Sequence, residues 1–260
     1  MSALASKKIL VTEGSSLSSR EVVTALGIAG YRVGVCDPNP VCLGRFSRFV
    51  THYYRCPAVG LDPWAHLDFV IDCLTRDRWD VLFPTHEQAF LLSRERSRIP
   101  AGVAFALADF ESFLQVQGKV ALSKTLSRLS IPQPKSRIIR TREQLEEERG
   151  FPFYLKADYA TASTAVWRIS SAEKLRARAS ELIQQGLLDG QQEFVVQEVA
   201  PGSLRACSVR LRPGRLIAIH GYSQAREGIG GGDIAKLSVM RPVVCRYVEQ
   251  LAHVCGICRS

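Results

Sequence analysis

Two stretches decide how this chain is read: FPFYLKA, residues 151–157, and VVQEVAPG, residues 195–202. The first is a run of apolar and aromatic residues that ends on Lys156. A strand so apolar does not hold an ammonium group inside without a partner. Lys156 therefore either snorkels to water, the usual fate of lysine, or meets an anion. The second stretch is an apolar strand that runs out through Gln197, Glu198, Val199 and Ala200 into Pro201 and Gly202. Its backbone is either an ordinary strand end or a hinge with donors and acceptors to offer a planar heterocycle.

Working outward from residue 151, the pattern predicts a strand over 135–140 and a short acidic helix over 142–149. Thr141 caps that helix, with Gln144 at its third position. Strands follow over 153–157, 165–170 and 194–199, with a helix over 172–185. This reads as a four-stranded sheet with two or three helices. Upstream, strands over 8–12, 31–36, 80–84 and 103–106 alternate with helices over 18–29 and 64–75, which predicts a parallel, doubly wound sheet. Lys119 opens a helix over 120–129. Downstream, two strands over 206–211 and 216–220 lead into a glycine-rich loop and then a helix over 242–254.

Composition bounds the class. The 260 residues carry 46% apolar and 23% charged side chains, ordinary for a soluble globular protein. No apolar run is long enough to span a membrane, and the residues before the first strand lack a secretory signal, so a cytoplasmic protein is expected. The net charge of +9 is spread along the chain, without the aromatic or zinc-finger signatures of nucleic-acid binders, and nucleic acid is not expected as a partner. Eight scattered cysteines read as reduced thiols. Cys255 and Cys258 supply only half of a zinc site, so no metal ligand is assigned. The loop after the first strand, Glu13-Gly-Ser-Ser, lacks the later glycines of a dinucleotide fingerprint, although its helix start could take a carboxylate or small anion.

In order and spacing, these features resemble the ATP-grasp superfamily, closest to its carbamoyl-phosphate-synthase-like and carboxylate–amine ligase branch. The resemblance runs through the helix opened by Lys119, the segment LSRLSIPQP at 126–134, FPFYLKA, the small hydroxyl-rich loop at 160–164, and VVQEVAPG. It implies an α/β fold: a Rossmann-like pre-ATP domain over 1–115, a small α+β lid subdomain over 116–200, and an incomplete large subdomain over 201–260. It implies ATP as ligand, with Lys119 and Lys156 on its phosphates. Thr161, Ser163 and Thr164 would lie in the loop that closes over them. Backbone groups of Gln197, Glu198, Val199 and Ala200 would read the adenine, and Arg226 would meet the acyl phosphate or second substrate. The implied chemistry joins a small carboxylate to an amine through an acyl phosphate.

Two departures shape the expectation. The phosphate loop, glycine-rich in the family, has no glycine here. The family also holds magnesium on a late Glu strand and an E-x-N strand. Beyond residue 200 there are only three acids, Glu227, Asp233 and Glu249, and no E-x-N. The chain is therefore expected to bind ATP without turnover by itself. It would be a nucleotide-binding module or half of a split ligase, its sheet completed by a second copy or another chain.

Overall fold

The structure is a computed structural model that describes residues 7–159, 165–203, 205–212, 215–227 and 233–254. The chain divides into two compact units, Met1–Phe110 and Glu111–Ser260.

The first unit is built on β1 (Lys8–Val11), α1 (Leu17–Ile28), β2 (Arg32–Asp37), β3 (Val50–Arg55), α2 (Pro63–Arg76), β4 (Val81–Phe83), α3 (Gln88–Arg94) and β5 (Ala104–Phe105). All its strand pairs are parallel, in the order β3-β2-β1-β4-β5. This is the doubly wound arrangement expected from the alternation. Local chemistry sets the helix starts. Ser16 accepts from Ser19 N to cap α1, and Asp62 accepts from Ala65 N ahead of Pro63 to cap α2. Leu10, Leu67, Val70, Leu74, Trp79, Leu82 and Leu92 form the buried core. The Trp79 ring packs against Gly34 of β2, where any side chain would strike it. Strand β3 and helix α3 were not expected from the sequence.

The second unit opens with α4 (Phe110–Val116), also unexpected, and α5 (Lys119–Arg128). Then come β6 (Ser136–Thr141), α6 (Arg142–Glu146), β7 (Phe153–Ala157), β8 (Val166–Ile169), α7 (Ala172–Gln184) and β9 (Asp189–Glu198). The four strands form an antiparallel sheet in the order β6-β9-β7-β8. The alternation of β7 decides its faces. Phe153 and Leu155 point into a core with Ile139, Phe194 and Val196, closed by Leu145 of α6 and Leu175, Ala179 and Leu182 of α7. Tyr154 and Lys156 are left on the opposite face. The capping box on α6 is present in full, Thr141 accepting from Gln144 N while the Gln144 side chain returns to the Thr141 backbone. The helix ends at Glu146, three residues sooner than expected.

The remaining strands, β10 (Arg205–Arg212), β11 (Arg215–Glu227) and β12 (Asp233–Ser238), form a separate antiparallel sheet in that order. Strand β11 runs seven residues past its expected end, and β12 was not expected at all. Helix α8 (Pro242–Val254) follows, and Gln250 Nε2 donates to Leu129 O at 2.8 Å, tying it to the end of α5.

Candidate functional site

The open face of the four-stranded sheet gathers the expected cations. Lys156 Nζ donates to Gln197 Oε1 at 2.6 Å and lies 5.7 Å from the centre of the Tyr154 ring. Gln197 Nε2 in turn donates to Ser136 Oγ at 2.9 Å, and Ser136 Oγ donates to Pro134 O at 2.8 Å. This relay crosses three strands and fixes which end of the Gln197 amide faces the lysine. Lys119, at the start of α5, is held to the end of β7: its Nζ donates to Asp158 O at 3.1 Å and its backbone N to the same oxygen at 3.3 Å. The Asp158 carboxylate accepts from Val120 N at 2.8 Å, so an acid sits on the first turn of α5.

The two ammonium groups feel each other. Burial lowers the Lys156 pKa, and the nearby charge of Lys119 lowers it further. Burial also lowers the Lys119 pKa, against the pull of Asp158. Among the described residues no carboxylate forms an ion pair with Lys156, whose polar partner is a neutral amide. Two half-buried lysines that repel one another, one without an acid, make a site whose electrostatics favour an anion.

The other expected residues fall as follows. Glu198 ends β9. Its carboxylate accepts from Lys135 N at 2.9 Å, and its backbone N–H donates to Lys135 O at 3.0 Å. That donor is therefore taken by the residue that leads into β6, and Gln197 meets Lys156 through its side chain. Val199 and Ala200 lie just past the ladder, where backbone groups are not consumed by sheet pairing. Arg226 is exposed on β11, in the separate three-stranded sheet, opposite Ala235. Thr161, Ser163 and Thr164 lie outside the described residues, as do the glycine-rich loop at 228–232 and the Cys255–Cys258 pair. Sequence reading missed Asp158, Tyr154 and Ser136. Tyr154 had a signal: it lies two residues from Lys156 and thus on the same face.

Among the described residues no group of three or more His, Cys, Asp and Glu is placed to hold a metal.

The alternative dinucleotide site in the first unit fails on geometry. The Glu13 carboxylate turns back onto the start of α1, accepting from Ser16 N at 2.6 Å, Ser16 Oγ at 2.7 Å and Ser19 Oγ at 2.6 Å. Its pKa lies below the usual carboxylate range because these hydrogen bonds outweigh its burial. The helix start that could take a small external anion is thus filled by the chain's own acid. Asp37, at the end of β2, is buried and spent on Gly14 N at 2.8 Å, Ser15 Oγ at 2.9 Å and Asn39 N at 2.7 Å. No carboxylate is left there for a ribose.

A Rossmann-like parallel sheet followed by an antiparallel lid sheet bearing an interior lysine is the ATP-grasp fold. Comparison with known proteins bears out this fold. The carbamoyl phosphate synthase large chain of Thermus thermophilus is 22% identical over 220 residues, 83% of this chain and 20% of that protein. Among solved structures, the L-amino acid ligase of Bacillus licheniformis matches with a TM-score of 0.70 at 13% identity, over 96% of this chain and 62% of that one. The biotin carboxylase domain of Hydrogenobacter thermophilus 2-oxoglutarate carboxylase, solved with magnesium ADP and bicarbonate, matches at a TM-score of 0.71 and 14% identity, over 96% and 58%. Phosphoribosylamine–glycine ligase of Thermotoga maritima gives 0.65 and 17%, over 96% and 61%. No protein-family model matches the chain. The chain thus spans about three fifths of these solved structures and a fifth of the curated relative. Among the described residues no helix is long and apolar enough to cross a membrane.

Proposed function

We propose that this chain binds ATP on the open face of the β6-β9-β7-β8 sheet, and that it serves ATP-dependent ligation of a small carboxylate to an amine through an acyl phosphate. The observation that carries this reading is the pairing of Lys119 with Lys156, half-buried, mutually repelling, and with no carboxylate on Lys156. Lys119 and Lys156 hold the phosphates, and the loop bearing Thr161, Ser163 and Thr164 closes over them. The backbone of Val199 and Ala200 meets the adenine, and Arg226 meets the acyl phosphate or second substrate. Charge neutralisation and positioning are what such a site contributes to acyl-phosphate chemistry. The layout behind it is a pre-ATP domain over 1–115, a lid over 116–200 and part of a large subdomain from 201. A cytoplasmic setting suits the four free, buried cysteines Cys36, Cys42, Cys56 and Cys73.

A second reading is a nucleotide-binding module without turnover. It is favoured by the nine Lys and Arg against three acids over residues 201–260, surroundings that suit phosphate better than a cation. Calorimetric titration with ATP and, separately, NAD tests binding. Saturable ATP binding that exceeds NAD binding supports both readings, and magnesium-dependent phosphate release with a carboxylate and an amine selects the first. Tighter NAD binding, or no ATP binding, rejects both.

A further inference from the structure

The four-stranded sheet has a second opening, at the other end of β9 from Gln197. A cavity of about 650 Å³ lies there, walled by Lys124 of α5, Arg140 of β6, Asp158 and Tyr159 after β7, and Gln191 to Glu193 of β9. Glu193 and Gln197 are four residues apart on one strand, which sets Glu193 roughly 13 Å along β9 from the Lys156–Gln197 contact at the usual strand rise, while Lys119, bonded to Asp158 O at 3.1 Å, borders the cavity. The charges of this cavity are unevenly matched. Glu193 is paired with the Arg140 guanidinium, and Asp158 is engaged by Val120 N at 2.8 Å. Lys124 is exposed and has no hydrogen bond or ion pair among the described residues. One unmatched ammonium, the flank of a planar guanidinium and the side-chain amide of Gln191, on the same face of β9 as Glu193, together offer donors to a planar anion. We propose that this cavity is a binding site for a small organic carboxylate that does not use Lys156. Lys124 supplies the charge, Arg140 and the Gln191 amide supply in-plane donors, and Tyr159 supplies an aromatic wall.

The test is calorimetric titration of the whole chain with sodium succinate, against sodium chloride at equal ionic strength. It compares the wild type with Lys124→Ala and Lys156→Met. Lys124 is a solvent-facing helix position, so its replacement by alanine leaves thermal unfolding unchanged, which is checked first. The site predicts saturable succinate binding by the wild type and by Lys156→Met with the same affinity. It predicts roughly tenfold or greater weakening in Lys124→Ala, as for loss of a charge-assisted hydrogen bond. No saturable binding by the wild type, or a signal that chloride reproduces, overturns the proposal. So does unchanged affinity in Lys124→Ala. Loss of binding in Lys156→Met alone would move the carboxylate to the open-face lysines and overturn it as well. ATP affinity is measured on the same samples, so failure of the carboxylate site is separable from failure of the nucleotide reading.

Discussion

Replacing Lys156 with methionine keeps the aliphatic stem and removes one charge. In the ligand-free protein the exchange has opposing effects. It forfeits the 2.6 Å bond to Gln197 Oε1, but it also releases a half-buried ammonium from desolvation and from the repulsion of Lys119. Gln197 keeps its bond to Ser136, and water can reach its freed oxygen. The net change in stability is therefore expected to stay within about 1 kcal/mol, the usual net worth of one hydrogen bond. With nucleotide bound the balance differs. A charge-assisted hydrogen bond to phosphate contributes roughly 1.5–3 kcal/mol, which corresponds to an affinity loss of about 10- to 150-fold. Calorimetric titration with ATP, paired with thermal unfolding without ligand, reads both quantities. An unchanged ATP affinity in a folded Lys156→Met protein would refute the reasoning and return Lys156 to the role of a lysine pointing at solvent.

Other outcomes follow from the same geometry. His66 is buried, with Nδ1 2.9 Å from Pro57 O and Nε2 without a partner, and burial lowers its pKa. Above about pH 6.5 the ring is neutral folded or unfolded; below it the unfolded chain takes the proton first. His66 therefore costs stability progressively as pH falls from 6.5 towards its folded pKa, by at most about 1.4 kcal/mol per pH unit. Urea unfolding at pH 7.5 and 5.5 should show that loss shrink in His66→Leu, and an equal loss in both proteins would contradict it. Thr141→Ala removes the cap of α6 and should lower unfolding free energy by about 1 kcal/mol, measured by denaturant titration. Gly34→Ala drives a methyl into the Trp79 ring, which is only 3% exposed, and should cost about 1–3 kcal/mol with a changed tryptophan fluorescence spectrum. An alanine tolerated without change would mean that β2 and Trp79 do not meet as described.

Much of the fold was legible wherever the chemistry is local. The α6 capping box needs only Thr141 and Gln144, three residues apart, and it formed as read. The apolar run of β7 and the bounds of α8 were read to the residue. Strand β3 escaped because it is held by polar bonds rather than by an apolar stripe. Tyr53 Oη donates to Asp37 O at 2.9 Å, and Tyr54 Oη to Asp77 Oδ2 at 2.8 Å, partners that no periodicity reveals. Helices α3 and α4 span seven residues each, too few turns for a clear amphipathic signal. In the site, Lys119 and Lys156 stood out because each cation ends or opens an apolar element. The role of the Gln197 side chain did not, since its contact with Lys156 joins residues 41 apart. Nor did the filling of the α1 start by Glu13, which precedes the Ser16 cap and reaches forward over it.

The central claim is that nucleotide sits on the lid sheet of the second unit and not at the strand ends of the first. Photolabelling with 8-azido-ATP, followed by protease digestion and mass spectrometry, tests it most directly. The account predicts label within peptides of residues 111–203, protected by excess ATP and diminished in Lys156→Met. ATP-protected label confined to residues 7–110, around Glu13 and Asp37, would contradict it.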